Sequence, residues 1–351
     1  HEGVALAAGP KGSEYWRFLT SVTRGLPESA AVQVVATEGS VANAFLIESQ
    51  QARVGVMQSD VAAAAVTGQG VFSATGPMSH LRAAASLFPE PVHIVVRADS
   101  GIERIEDLAG RRLALGSPAS GSRHTALRLL SLAGVDASGL AAIHDGDTAT
   151  ALAKLAAGEL DAVIEVVSAP WQQLQVIAAR TPLRLIGFDA EQAARIAVDL
   201  HGLVPLGIPA RTYPGQDDVV RTVAATALLV ARSDVAEATV AAMLELLYAA
   251  AAERGGVLAA RLSRERAQTG ITIPPNARIS YPLIREGIFV AGRTVEQVAA
   301  EITKRLDEFI IDPKVSVTLD KANATRYSVM GNVATPGVRV MDRKVSVYEA
   351  I

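Results

Sequence analysis

The sequence predicts an α/β protein of two lobes followed by a small α+β domain, and three observations carry that expectation. Short apolar runs alternate with helical patterns from the start to about residue 200, the signature of βαβ units around a largely parallel sheet. A chain of 351 residues is long enough for two or three domains, each with its own core. After about residue 275 the texture changes to extended segments beside one amphipathic helix.

The elements follow in order. Residues 4–8 read as a strand, followed by Gly-Pro-Lys-Gly-Ser and a helix whose apolar positions Tyr15, Trp16, Phe18, Leu19 and Val22 share one side. Residues 32–35 form the next strand, and Ser40 stands where it can cap a helix holding Ala44, Phe45 and Ile47. Residues 54–57 form a third strand, ahead of an alanine-rich segment after Asp60. A second set begins near residue 92, with strands at 93–96, 113–115, 162–167 and 183–188. The turn 116–122 leads into a helix, and Pro170 opens another. Residues 219 to about 259 read as a long helical region returning to cover the first lobe. The expected division is therefore 1–91 with 205–275 as the first lobe, 92–204 as the second, and 276–351 as the small α+β domain. In that last part a helix at 294–309 sits among extended segments at 278–283, 315–319 and 327–333.

Composition narrows the function. Lys and Arg number 33 against 36 Asp and Glu, a balance that excludes the basic face a nucleic-acid binder needs. There is no cysteine, which removes disulfides, thiolate metal sites and cysteine nucleophiles together. The chain opens at His1-Glu2-Gly3, read as a processed or trimmed amino terminus. The most apolar stretch, 236–252, carries Glu237, Thr239, Glu245 and Tyr248, and suits a buried or amphipathic helix better than a membrane span.

Three turns could hold a ligand. Thr37-Glu38-Gly39-Ser40-Val41-Ala42-Asn43 lies where a strand ends and a helix begins. There the first backbone N–H groups lack intrahelical partners and the dipole favours an anion. Ser40 and Asn43 are three apart and can face one spot, although an ordinary helix cap explains the pattern equally well. Ser120-Gly121-Ser122-Arg123-His124-Thr125 is a second such turn, with Arg123 available as a counter-charge. It is neither a Walker loop nor a nucleophile elbow, since no Gly-Lys-Ser/Thr follows and Pro118 stands where the elbow needs glycine. At Met57-Gln58-Ser59-Asp60 the carboxyl end of a strand presents Gln58 and Asp60, which suit an ammonium or hydroxyl; Asp60 as a helix cap is the plain alternative. The six histidines are scattered without metal-ligand spacing, and no serine has a recognisable base and orienting acid. The reading is binding rather than turnover, with no catalytic residue, metal or cofactor.

Taken together, Thr37 to Asn43, Gln58-Ser59-Asp60, Leu87-Phe88-Pro89, the run from Val95 to Ile102, Asp107 to Arg112, Gly158 to Ala162 and Pro170 resemble the TAXI-type solute receptors of TRAP transporters. The likeness runs to about residue 275. It implies a type II periplasmic-binding fold whose two lobes close on a small carboxylate or amino acid such as glutamate, delivered to a TRAP-type membrane permease. It also implies a periplasmic location, and a pocket at Ser40, Asn43, Gln58, Asp60, Ser120, Gly121 and Ser122. Two departures stand out: the second turn has less glycine than the family, and Glu38 replaces a frequent glycine.

Ile279 to Ile284, Ala291-Gly292 with Thr294, Ile311-Asp312-Pro313 with Val315, and Gly331-Asn332-Val333 with Pro336-Gly337 resemble another family. It comprises the polysaccharide-export domain and the start of its SLBB partner, over about residues 277–351. That resemblance adds polysaccharide-export machinery as an expected partner. It also supplies an alternative function, an export or assembly component with a sensory solute-binding module.

Overall fold

The structure is a computed structural model that describes residues 4–24, 31–244, 278–281, 284–289, 295–306, 325–329 and 337–341. The first lobe starts with β1 (Val4–Ala7), α1 (Glu14–Thr23), β2 (Val32–Val35), α2 (Ser40–Glu48), β3 (Val54–Gln58) and α3 (Ser59–Thr67). Ser13 caps α1 by accepting from the Trp16 N–H, and Tyr15, Phe18, Leu19 and Val22 form its buried face. β1 pairs in parallel with both β2 and β3, as the alternating pattern requires.

β4 (Leu81–Arg97) then runs for 17 residues, far beyond the four expected at 93–96. Its amino-terminal part pairs with β10 (Val220–Arg232), while its carboxyl-terminal part pairs with β7 (Ala162–Val166) and β8 (Leu183–Ile186). The second lobe adds β5 (Arg112–Ala114), α4 (Gly121–Leu132), β6 (Ala142–His144), α5 (Thr148–Ala156), α6 (Gln172–Ala178), α7 (Ala190–Asp199) and β9 (Leu203–Ile208). Asp147 and Asp189 cap α5 and α7, the latter closing a capping box with Gln192.

β10 corrects the sequence reading, which made 219–259 one helical region. Residues Val220–Arg232 form a 13-residue strand, antiparallel to β3, β4 and β9; residues 237–244 are helical (α8), and residues 245–259 lie outside the described residues. Alanine enrichment suggested a helix. Val220, Thr222, Val223, Thr226 and Val230 are β-branched, and from Thr222 to Arg232 nearly every position is buried on both faces of the sheet. A strand covered on both sides shows no alternation, so its periodicity is lost. β4 and β10 also make the sheet mixed rather than largely parallel: β1–β2, β1–β3, β5–β6 and β5–β7 are parallel, whereas pairs involving β4 or β10 are antiparallel.

The joined sheet runs β2-β1-β3-β10-β4-β7-β5-β6, with β8 and β9 pairing β4 and β10 off that path. β4 and β10 are thus the two long strands shared by both lobes. Ala7, Ile47, Met57, Phe72 and Val230 pack on one face of the first half-sheet, and Leu6, Phe18, Leu87, Phe88 and Leu229 on the other. Ile94, Leu113, Leu129, Ile164 and Phe188 build a core in the second lobe, and Val95, Leu152, Val163, Trp171 and Tyr213 a further one.

In the carboxyl-terminal part, β11 (Arg278–Tyr281) pairs with β12 (Ile284–Phe289), and β13 (Thr325–Val329) with β14 (Gly337–Met341). α9 (Val295–Leu306) presents Val298 and Ile302, four residues apart, to the first-lobe cluster. The expected extended segment at 315–319, and residues 330–333 of the last one, lie outside the described residues.

Candidate functional site

The two turns expected to face each other do so, in contact. Gly39 precedes α2 with φ of 130°, a left-handed region that a side chain rarely enters, and makes no side-chain cap. A Cβ there would lie 3.3 Å from Ser120 Cα of the opposite lobe. Gly121 is tighter still: a Cβ would lie 2.2 Å from Gln58 Oε1 and 2.8 Å from Ser40 Oγ. The Ala42 N–H donates across the gap to Ala119 O at 3.1 Å. Two glycines, one in each turn, let the lobes meet here.

The sequence reading made Ser40 the cap of α2. It is the first helical residue instead, and its hydroxyl accepts the Gln58 N–H at the end of β3, at 3.1 Å. The Ser40 and Val41 N–H groups have no hydrogen-bond partner among the described residues. Asn43 is fully buried. Its amide donates to the carbonyls of Ala7, Ala8 and Val56, and its Oδ1 accepts from Thr37 Oγ1 at 2.7 Å. Asn43 thus rivets the start of α2 to β1 and β3.

Ser120 is the cap of α4: its Oγ accepts the Arg123 N–H at 3.1 Å and donates to Ser117 O at 2.8 Å. Ser122 turns to β7 of its own lobe, donating to Glu165 Oε1 at 2.6 Å and accepting the Val166 N–H at 3.1 Å. Arg123, the expected counter-charge, instead pairs with Asp145 within its own lobe. The physical reason is direction: three residues past the cap, its side chain leaves the helix start on the side of the loop after β6.

At the end of β3, Gln58 is the backbone cap of α3 and reaches Val166 O of the other lobe at 3.5 Å. Asp60, expected either to cap or to bind, does not cap; it lies in the first turn of α3, fully buried. Its Oδ2 accepts from Thr125 Oγ1 of the opposite lobe at 2.6 Å, whereas its buried Oδ1 has no partner among the described residues. Ser59 donates to Gly202 O at 2.6 Å and accepts the Thr226 N–H at 2.8 Å, tying α3 to the strands behind it.

Three further acidic or phenolic groups complete the site, and sequence reading missed them. Glu90 is buried in β4 and accepts from Tyr15 OH at 2.5 Å. Glu165, on β7, accepts from Ser122 and from Thr148 Oγ1, the latter at 3.1 Å. Burial pushes the Glu90 carboxyl well above the usual carboxylate range, and the neighbouring Glu14, Asp60 and Glu165 push it the same way. Burial likewise raises Glu165, against the hydroxyls that stabilise its charge, and raises Tyr15, with Glu90 adding to the effect. Glu14 bonds Ser168 across the lobes. The missed signal was an acid inside an apolar strand, in Phe88-Pro89-Glu90-Pro91 and in Ile164-Glu165-Val166.

The site therefore consists of uncapped helix amides, hydroxyls, one carboxamide and buried carboxyls, a set suited to binding polar groups. No cluster of metal-ligating residues occurs among the described residues. His93 is committed to structure: its Nδ1 meets Pro91 O at 2.9 Å and its Nε2 meets Tyr213 OH at 2.7 Å. Tyr213 OH already accepts the Trp171 N–H, so it donates to a neutral imidazole, and burial lowers His93 to about 4. No described helix is long and apolar enough to cross a membrane.

Comparison with known proteins matches residues 6–274 to the model of the NMT1-like family, and residues 235–320 to the polysaccharide biosynthesis/export protein family. A protein from Bordetella bronchiseptica RB50 shares the fold at a TM-score of 0.51 and 16% identity, over 89% of this chain and 91% of that one. The alkanesulfonate-binding protein of Xanthomonas axonopodis pv. citri, bound to MOPS, aligns at a TM-score of 0.45 and 15% identity over 76% of each chain. A putative L-cystine ABC transporter protein from Listeria monocytogenes aligns at 0.43 and 11% identity, over 72% of this chain and 92% of that one.

Proposed function

Because the chain belongs to the NMT1-like family, on the two-lobed fold of periplasmic binding proteins, we propose that it is an extracytoplasmic solute-binding receptor, not an enzyme. It captures a small organic anion or amino acid, glutamate-like in size, between the starts of α2 and α4, and delivers it to a TRAP-type permease. The observation that carries this reading is the start of α2. A buried helix begins without a side-chain cap and directs its free amides toward the facing lobe. The sequence likeness to TAXI receptors supports the choice of permease. Ser40, Gln58, Asp60, Gly121 and Ser122 line the solute; Asn43 and Ser120 hold the two turns in shape.

β4 and β10 serve as the hinge, since they are shared by both half-sheets, and the second lobe, which extends past residue 204 through β9 to Tyr213, moves against the first. The match of residues 235–320 to export proteins favours a second reading, a periplasmic export or assembly component with a solute-sensing module.

The test is thermal shift of the full chain against amino acids and dicarboxylates. A specific solute stabilises its receptor by roughly 2.7 kcal/mol at a hundredfold excess over Kd. Gly121→Ala, whose Cβ would strike Gln58 and Ser40, is expected to keep the lobes apart and lose that shift while each lobe stays folded. A solute shift that survives unchanged in Gly121→Ala places binding elsewhere. Binding of a glycan, together with ring-shaped oligomers, would favour the export reading.

A further inference from the structure

Outside the cleft, two half-buried acids have a cation: Arg112 holds Asp161 at 2.8 Å and His80 meets Glu48 at 2.8 Å. Inside the cleft the pattern changes. Asp60, Glu90 and Glu165 are bonded by the hydroxyls of Thr125, Tyr15, Ser122 and Thr148, with no Lys, Arg or His among their hydrogen-bond partners in the described residues; the buried His124 lies near Asp60 without a hydrogen bond to it. Removing a carboxylate from water without a counter-ion is costly, and a hydroxyl compensates only part of the cost. Asp60 adds a second sign: its Oδ1 is buried with no donor, a vacant acceptor at the very point where α3 meets the other lobe.

We propose that the solute carries more ammonium than carboxylate charge, with an amine seated on Asp60 Oδ1 among Asp60, Glu90 and Glu165. This rests on the reading that the solute lies between α2 and α4. The free amides of Ser40 and Val41 provide for one anionic group; each helix start supplies about half a positive charge. A second carboxylate on the solute would come beside Asp60, Glu90 and Glu165, three acids held by hydroxyls alone, and would bring no donor for the Asp60 Oδ1 acceptor. A second ammonium would find an acceptor there. The favoured class is therefore a diamino acid or a compact diamine, and a dicarboxylic amino acid is disfavoured.

The experiment compares L-ornithine, L-glutamine and L-glutamate by isothermal titration and thermal shift on the full chain. The three are similar in length and differ in the charge of one end. Ornithine is expected to bind at least tenfold more tightly than glutamine, with glutamate weakest. Glu165→Gln, which keeps the side-chain volume, is expected to lower ornithine affinity at least tenfold. It should also narrow the gap to glutamate; its unliganded melting curve reports whether it folds.

Glutamate binding as tightly as ornithine, or ornithine affinity untouched by Glu165→Gln, overturns the charge proposal. If glutamate binds and Gly121→Ala abolishes it, the receptor reading stands alone. If none of the three binds to wild type, and diamines and dicarboxylates also fail, both readings fall.

Discussion

The starts of α2 and α4 are built from the same materials and behave in opposite ways. Each follows a strand, each is preceded by a glycine with positive φ (Gly39 at 130°, Gly116 at 84°), and each carries one serine in its first turn, Ser40 and Ser122. α4 is self-sufficient: Ser120 satisfies the Arg123 N–H and anchors to Ser117. α2 is not: its Ser40 hydroxyl goes to β3, and one of its first amides is satisfied by Ala119 of the facing lobe. A serine at a helix start is therefore not by itself a ligand contact. What matters is whether its hydroxyl is already occupied by its own helix, and on that criterion α2 is the open end and α4 the closed one.

The strongest way to break this comparison is Asn43→Ala. The Asn43 amide meets three strand carbonyls and its oxygen takes the Thr37 hydroxyl, all in a fully buried position. Removing it leaves those groups unpaired at about 1–3 kcal/mol for a buried polar group, so a total loss of roughly 3 kcal/mol is expected. The measurement is denaturant or thermal unfolding without solute. A loss below about 1 kcal/mol would mean that α2 is positioned by packing alone, not by its asparagine.

A smaller effect separates the acids beside α2 from the ordinary surface acids. Glu90 has a folded pKa raised above the unfolded value of about 4.3. Its contribution to stability is fully present below that value and is lost as pH rises through the folded pKa. Glu165 behaves in the same direction. His93, lowered to about 4, works oppositely, with stability present above about 6.5 and lost as pH falls toward its folded value. Glu90→Gln removes only the first of these. The variant is expected to gain melting temperature over wild type as pH rises from about 5 to 8, by about 2–4 °C for each kcal/mol recovered. Parallel curves for the two proteins across that range would show that Glu90 is ionised without penalty and that the cleft is wetter than its burial suggests.

The parts legible in the sequence were those with local causes. α1 has a serine cap and a one-sided apolar face, so its position could be read from residues 13–22 alone. The facing turns were legible as turns, because glycine and small residues mark a strand-to-helix junction. β10 was not legible, because a strand buried on both faces loses its alternation and alanine imitates a helix. Nor was the assignment of hydroxyls, since Ser40 reaches an amide 18 positions away and Ser122 a carboxylate 43 away. Glu90 and Glu165 escaped for the same reason: their neighbours come from α1, α3, α4 and α5, and only the folded sheet brings these together.

The finest test of the difference between the two starts is Ser120→Ala. If α4 is satisfied within its own lobe, removing the cap should cost about 1 kcal/mol of stability, the ordinary value for a lost side-chain cap. It should leave solute affinity within about twofold, because the lost bonds run to Arg123 and Ser117 and not into the cleft; a twofold change is about 0.4 kcal/mol. Ser40→Ala should instead lower affinity well beyond twofold, and because the Gln58 N–H it abandons is buried it should also cost about 1–3 kcal/mol of stability. If the two serines gave the same split between stability and affinity, α2 and α4 would be equivalent walls of the site, and the single open helix end would no longer explain where the solute's anionic group is held.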